Sequence, residues 1–402
     1  MGKQESMNDF DFGDFTRSPE LENRYWVDDS PLLRAFGSIL PPKLADLVDL
    51  AMAVYYADRR SQRNRTSKSF ELTGHREIHI RLRVRELELW KSKEISSSLV
   101  NLLSWFTEDT WEFEFSKSNV KRKSEYVEPL FASPVSDPKI SLLFSGGLDS
   151  LAGLCSLMGE HQDCSFIVIS GSTSQRTTQI QRDLIKELVR YWHRQSRELR
   201  SLVVPFGIRR PERTCCEETS QRSRGFVFLL IGATAAIMAK STVLYVCENG
   251  VGAANLPFNE GQLGIDNTRG VHPLSLARSS DFLGLFPGRS MQIVNPHAAG
   301  LDGDDPANLY RFDVKKSFAG LRRDQLYPLM AMLDQADRIR TCLGSKSPWE
   351  ALTEAFPELF EIQHDLCDRR QMAMNDVAQS YLRMYRAYVE EWKAFPLNLS
   401  LR

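Results

Sequence analysis

Long apolar runs are missing from this chain of 402 residues. No stretch approaches the roughly 18 consecutive apolar residues that a membrane-spanning helix needs. The acidic, polar segment from Met1 to Glu22 lacks the basic and apolar regions of a signal peptide. Both absences predict a soluble, cytoplasmic protein without membrane partners. An excess of one charge is missing too: 51 Lys plus Arg face 52 Asp plus Glu, a net charge of −1. That balance gives no electrostatic reason for non-specific nucleic-acid binding. Cysteine is sparse and odd in number, seven in all, which argues against a disulfide framework and for thiols in a reducing compartment. The vicinal Cys215-Cys216 has no His or acid at useful spacing and reads as an idle pair. Between Cys247 and Cys342 there is no cysteine at all, and Cys342 and Cys367 stand too far apart for a Cys-x-x-Cys metal site. What remains is ordinary, 42% hydrophobic and 26% charged, a globular composition whose length predicts two domains or one with large additions.

The most informative stretch is Ser145-Gly146-Gly147-Leu148-Asp149-Ser150, preceded by the apolar Ile140-Ser141-Leu142-Leu143-Phe144 and followed by Leu151-Ala152-Gly153-Leu154. A buried strand entering a paired-glycine turn and then a helix suits an anion. The glycines let the backbone curl with positive φ and keep Cβ atoms away from the peptide N–H groups. The helix then aims its unpaired N–H groups at the same point, and Ser145 and Ser150 add hydroxyl donors. Each charge-assisted hydrogen bond contributes about 1.5–3 kcal/mol, so a few can hold a pyrophosphate without lysine. A Walker loop, which needs Gly-Lys-Ser/Thr after its spacer, is excluded. The plainer alternative is a Ser/Gly turn that caps a helix through Asp149 or Ser150.

Ahead of this stretch, residues 1 to about 30 read as a flexible tail or partner-binding arm. Leu40, Leu44, Leu47, Val48, Ala51 and Val54 have helical spacing begun by Pro41-Pro42. Ser61 to Arg65 reads as a polar linker. His75 to Trp90 alternates with one slip near Glu86, which predicts a strand pair or one long bulged strand. A short helix over Ser96–Phe106 and a strand at Trp111–Phe115 complete an N-terminal α+β accessory domain, residues 1–135, read as structural or partner-docking. Pro134–Pro138 is the expected boundary. Over residues 136–300, strands and helices alternate: a helix at 149–159, strand Ser165–Ser170, a helix from Thr177 to about Arg197, strand Ser201–Phe206, helix 223–239 and strand Thr242–Cys247. Near-continuous apolar strands predict an α/β fold with a doubly wound parallel sheet. Ligands of such sheets bind beyond the carboxyl ends of the strands, where Ser145, Ser170-Gly171, Phe206-Gly207 and Glu248-Asn249-Gly250 fall.

Arg209, Arg210, Arg213, Arg222 and Arg224 come after strand Ser201–Phe206. Arg224, at a helix start, is placed near the polyphosphate, where its fork stabilises developing charge. The other four are read as pairing with Glu212, Glu217 and Glu218. The loop Val251–Gly270 carries Asn255, Asn259, Asp266, Asn267 and Arg269, and loops of this length are often functional. His272 either contacts substrate or caps the helix that begins after Pro273. Asp302 to Pro306 lacks the spaced ligands of a calcium loop and reads as a turn. Residues 301–402 form a helical C-terminal region, with a long amphipathic segment over Leu366–Phe395 whose apolar stripe reads as core or an oligomer seam.

The stretch Ser145 to Ser150 resembles the PP-loop of the ATP-pyrophosphatases, and about residues 138–300 resemble the 7-cyano-7-deazaguanine synthase family within that group. Ser223-Arg224-Gly225 before Phe226–Leu230, the strand end Val246-Cys247-Glu248, Arg269 and His272-Pro273 carry the finer likeness. The additional N-terminal region resembles enlarged relatives from anti-phage defence operons of the Qat type. The resemblance implies a PP-loop, adenine-nucleotide α-hydrolase-like fold and an ATP-dependent, AMP- and pyrophosphate-forming ligase acting on 7-carboxy-7-deazaguanine, with Mg²⁺ held through Asp149. It implies catalytic roles for Asp149 and Arg224. ATP contacts fall to Ser145, Gly146, Gly147, Leu148, Asp149, Ser150, Ser170, Gly171 and Glu248, and substrate contacts to Asn249, Arg269 and His272. A protein partner from a defence operon is implied as well. The family's four-cysteine zinc cluster has no counterpart here: His297-Ala298-Ala299-Gly300-Leu301, which looks like the family's segment just downstream of that cluster, comes almost directly after Asn295-Pro296. Two competing expectations stand beside this one, namely queuosine-precursor biosynthesis proper, and a catalytically degenerate nucleotide-binding scaffold of a defence complex.

Overall fold

The computed structural model describes residues 8–13, 25–63, 75–120, 139–193, 199–208, 218, 220–254, 256, 269–286, 291–295 and 323–394. Strands β1 (Asn8–Asp11) and β2 (Tyr25–Val27) lead into helices α1 (Ser30–Phe36) and α2 (Pro42–Arg60). Pro42 starts α2 because its missing N–H is one that a first helical turn leaves unpaired anyway. From Leu44 to Asp58 every residue of α2 is buried, as expected of a helix covered on all sides. Its three acids are each paired: Asp46 and Asp49 with Arg85, and Asp58 with Arg76.

The alternating run after it is a single strand, β3 (Glu77–Val84), and then a short helix, α3 (Leu87–Lys91), instead of the strand pair or bulged strand its pattern predicts. Asp46 explains the stop. Its carboxylate takes the backbone N–H groups of Arg85 at 2.8 Å and Glu86 at 2.9 Å, which removes both from a strand ladder. Helix α4 (Lys93–Thr107) and strand β4 (Thr110–Lys117) come next, and β4 lies parallel to β3 in a three-stranded sheet of order β1-β3-β4.

The parallel strands of the second sheet begin with β5 (Lys139–Leu143). Helix α5 (Leu148–Glu160), strand β6 (Ser165–Ser172), helix α6 (Gln175–His193), strand β7 (Leu199–Ile208), helix α7 (Arg224–Met238), strand β8 (Val243–Val246), helix α8 (Gly250–Ala254), helix α9 (Pro273–Gly284) and strand β9 (Gln292–Val294) complete this part of the chain. Its order is β2-β7-β6-β5-β8-β9. Five of these strands are parallel, while β2 joins the edge antiparallel, so the sheet is mixed and not purely parallel as predicted. Helices cover both of its faces. Phe166 and Val168 of β6 pack with Leu154, Leu157 and Ile185, whereas Ile167 and Ile169 share a core with Phe226, Leu230 and Ala233. Burying each such side chain contributes about 1.5–3 kcal/mol.

Two compact units result: Met1–Cys247 with Thr268–Val271 and Ser275–Val294, and Glu248–Asn267 with His272–Leu274 and Asn295–Arg402. Residues on either side of the expected boundary at Pro134–Pro138, which itself lies outside the described residues, fall in the first unit. One core cluster includes Leu47 and Val54 of α2, Ile80 of β3 and Phe226 of α7. In the second unit, α10 (Arg323–Leu343), α11 (Pro348–Ala355), α12 (Glu358–Arg370) and α13 (Met374–Ala394) pack on one another. The long amphipathic segment expected over Leu366–Phe395 falls across α12 and α13, which part where Gln371 turns left-handed at φ 55°. Its stripe of Val377, Tyr381, Tyr385 and Val389 is buried. Among the described residues, no helix is long and apolar enough to cross a membrane.

Candidate functional site

Strand β5 is where the sheet changes direction: β6 and β7 lie to one side of it, β8 and β9 to the other. In open α/β sheets a ligand-binding crevice forms where the connections diverge in this way. The turn Ser145–Gly147 comes after β5 at that point. Gly146 has φ 83°, a backbone that L side chains rarely adopt, and a Cβ there would stand 3.1 Å from Gln181 Cγ. Helix α5 begins at Leu148 with no side-chain cap at Gly147. Ser145 and Gly147 are exposed, and Leu148 is 80% exposed. An uncapped helix start at the tip of an open turn is the arrangement that fits a phosphate chain. Asp149 lies in the first turn of α5 and is half-buried.

The serines do something other than point outward. Ser150 Oγ donates to Gly147 O at 3.0 Å and lies 3.1 Å from Ser145 Oγ, which in turn accepts the Gly147 N–H at 3.1 Å. These bonds brace the turn. Ser170, buried near the end of β6, donates to Phe144 O at 2.8 Å and so ties β6 to the residue just ahead of the turn. Gln181 of α6, which no sequence pattern singles out, donates to Ser145 O at 3.1 Å and to Phe144 O at 3.4 Å. It is 1% exposed.

Arg224 is the first residue of α7 and is exposed. Its guanidinium carbon lies 5.3 Å from the centre of the Phe228 ring one turn on. Phe228 in turn covers Gly171: a Cβ at Gly171 would come within 2.3 Å of the ring. Through that contact Arg224 stands over the end of β6, one strand from the β5 turn. The N-terminal turn of α7 is held from below by Asp58, whose carboxylate accepts from Ser223 N at 3.0 Å and Ser223 Oγ at 2.7 Å. The other described arginine of this cluster, Arg222, is buried and pairs with Glu108 at 3.1 Å; Glu212 and Glu217, two of the partners expected for it, lie outside the described residues. Arg209, Arg210, Arg213, Cys215 and Cys216 lie outside the described residues.

Arg269 donates to Glu108 Oε1 and to Trp105 O, each at 2.8 Å, and its guanidinium carbon lies 4.2 Å from the Trp105 ring centre. The next residue, Gly270, meets Gly225 of α7: a Cβ on Gly225 would fall 2.5 Å from Gly270 Cα. Only paired glycines allow that approach. Gly207, expected on an open strand end, is instead covered by the Trp26 ring of β2.

Glu248, Asn249 and His272 belong to the second compact unit. Asn249 Nδ2 donates to Glu248 Oε1 at 3.0 Å, and Asn249 Oδ1 accepts Gly252 N at 2.7 Å, a cap for α8. Asn295 Nδ2 donates to Glu248 O at 3.1 Å. His272, 4% exposed, accepts Leu274 N on Nδ1 at 3.2 Å at the start of α9. Asn255, Asn259, Asp266, Asn267, His297–Leu301 and Asp302–Pro306 lie outside the described residues. Among the described residues, no group of three or more His, Cys, Asp and Glu could hold a metal ion. Compared with protein-family models, with curated proteins and with solved structures, the chain matches none of them.

Proposed function

We propose that this chain is an ATP-dependent, AMP-forming enzyme of the PP-loop type, with a doubly wound nucleotide-binding sheet. The observation that carries the reading is the Ser145–Ser150 turn. It sits at the point where the strand order reverses, with positive φ at Gly146, an uncapped α5 behind it and Arg224 over the neighbouring strand end. The turn would hold the β and γ phosphates of ATP, and Mg²⁺, reached through Asp149, would neutralise their charge. A substrate carboxylate oxygen attacks the α phosphorus, and the bond to pyrophosphate breaks with Arg224 stabilising the leaving charge. An amine then forms a C–N bond, loses a proton and displaces AMP. Positioning and charge stabilisation supply the catalysis. The substrate class, a 7-deazaguanine carboxylate, and a cytoplasmic role in anti-phage defence with a protein partner rest on the resemblance of Ser223–Gly225, Glu248, Arg269 and His272 to the 7-cyano-7-deazaguanine synthase family. Queuosine-precursor synthesis is the simpler version of the same chemistry.

A second reading has its own support. Arg269 is engaged by Glu108 and Trp105, and the hydroxyls of Ser150 and Ser170 are turned onto backbone carbonyls. A nucleotide-binding scaffold without turnover would look the same. Incubation with ATP, Mg²⁺ and 7-carboxy-7-deazaguanine, with and without the product of a neighbouring gene, separates the two. AMP release that Asp149→Ala abolishes supports the enzyme; ATP binding without AMP under every condition supports the scaffold.

A further inference from the structure

Glu108 ends α4 with a left-handed backbone, φ 61° and ψ 27°, a conformation that a non-glycine residue keeps only where its surroundings enforce it. His75 contributes, with Nδ1 lying 2.8 Å from Glu108 O. The carboxylate then reaches two arginines at once, Arg222 through Oε2 at 3.1 Å and Arg269 through Oε1 at 2.8 Å. The last turn of α4 supplies each of them with a second acceptor, Thr107 O for Arg222 at 3.1 Å and Trp105 O for Arg269 at 2.8 Å. These arginines lie on the two segments that meet at Gly225 and Gly270, and Arg222 is two residues before Arg224.

We propose that Glu108 is a positioning residue: by holding Arg222 and Arg269 on one carboxylate, it fixes the first turn of α7 and with it the direction in which Arg224 points. What Arg224 then contacts rests on the ATP reading given above. Geometry supports the assignment, since one carboxylate bridging two guanidiniums ties the segment before α7 and the segment at Gly270 to a single point. Topology supports it as well. Glu108 and Asp58 both come from the N-terminal part of the chain and both grip residues 222–223, which makes that part of the chain a component of the site and not a detachable appendage.

Two measurements on the full chain test this. In Glu108→Ala, amide hydrogen exchange at residues 224–227 and at 270 should quicken by about tenfold while β6 stays protected. Glu108→Gln, which keeps the shape and one acceptor oxygen, should fall between, and it serves as the test protein if the alanine variant does not fold. Unchanged exchange in both variants overturns the proposal. The second measurement is affinity for α,β-methylene-ATP in a double-mutant cycle of Glu108→Ala with Arg224→Ala. Each single change should weaken binding by about tenfold and the pair no more than either alone. Additive losses overturn the coupling of Glu108 to Arg224. A wild-type protein that does not bind the analogue refutes the ATP reading instead, while the exchange result still decides whether Glu108 orders α7.

Discussion

Gln181 donates its side-chain amide to the carbonyl oxygens of Ser145 and Phe144, at 3.1 and 3.4 Å, from a position that is 1% exposed. Its own Oε1 is buried without a hydrogen-bond partner among the described residues. The glycine turn is therefore shaped from α6 as well as by its own residues. Gln181→Met keeps the volume and removes both donations. Because the unpartnered acceptor, which costs about 1–3 kcal/mol, goes too, the unfolding free energy should change by less than about 1 kcal/mol. ATP affinity should fall by roughly three- to tenfold. Denaturant unfolding and nucleotide titration read the two effects separately, and a loss of stability with unaltered affinity would make Gln181 a packing residue only.

Gly171 lies directly under Phe228. In Gly171→Ala the new Cβ would come within 2.3 Å of the Phe228 ring and 3.0 Å of Phe206, so Phe228 has to move and carry Arg224 with it. Overpacking of this kind costs about 1–3 kcal/mol. Pyrophosphate release should drop to the level of Arg224→Ala, with the melting temperature lowered but folding retained. Full activity in Gly171→Ala would show that the placement of Arg224 over β6 does not matter.

Asp58 is buried and accepts from Arg76 Nη2 at 2.6 Å and from Ser223 at two points. Its loss leaves Arg76 paired with Asp109 but strips the Ser223 N–H and hydroxyl of their acceptor, at about 1–3 kcal/mol for each buried group left unsatisfied. Asp58→Ala should therefore be among the most destabilising single changes in the chain, measured by urea unfolding. A loss under about 1 kcal/mol would mean that the network tying α2 to α7 is dispensable.

Asp46 offers a pH signature. Burial raises its carboxyl above the usual range, against the lowering effect of hydrogen bonds from Arg85 and Glu86. A carboxyl whose pKa is higher in the folded than in the unfolded chain adds stability at acid pH, and that addition is lost as pH rises through the folded value. Wild-type stability relative to Asp46→Asn should accordingly be greatest below the ordinary carboxyl pKa of about 3.8 and shrink toward neutrality. Paired unfolding curves across that range check the sign; a difference that grows with pH would place the Asp46 pKa below its ordinary value.

The β5–turn–α5 passage was legible in the linear chain because every part of it is local. An apolar run, two glycines and a helical repeat follow one another within twenty residues, and their order reads as strand, turn and helix. The helix starts near Pro42 and Asp149 could be read for the same reason, the second falling one residue after the observed start at Leu148. The supporting residues could not. Gln181 is 36 positions from Ser145, Glu108 is 114 from Arg222 and 161 from Arg269, and Asp58 is 165 from Ser223. No spacing rule connects residues that far apart. The misreading of His75–Trp90 has the same root, since its alternation continues past Val84 and only the distant Asp46 stops the strand.

By itself, then, the sequence determined the strand–glycine–helix turn and the alternation of strands and helices that makes an α/β chain, because periodicity and backbone freedom act over a few residues. Tertiary structure alone decided that the N-terminal helices share a core with the sheet, that β2 closes its edge antiparallel, and that Arg222, Ser223 and Arg269, beside a glycine–glycine contact, are held by acids from α2 and from the end of α4. Those outcomes depend on burial and on pairing of charges between remote segments, which no local pattern encodes.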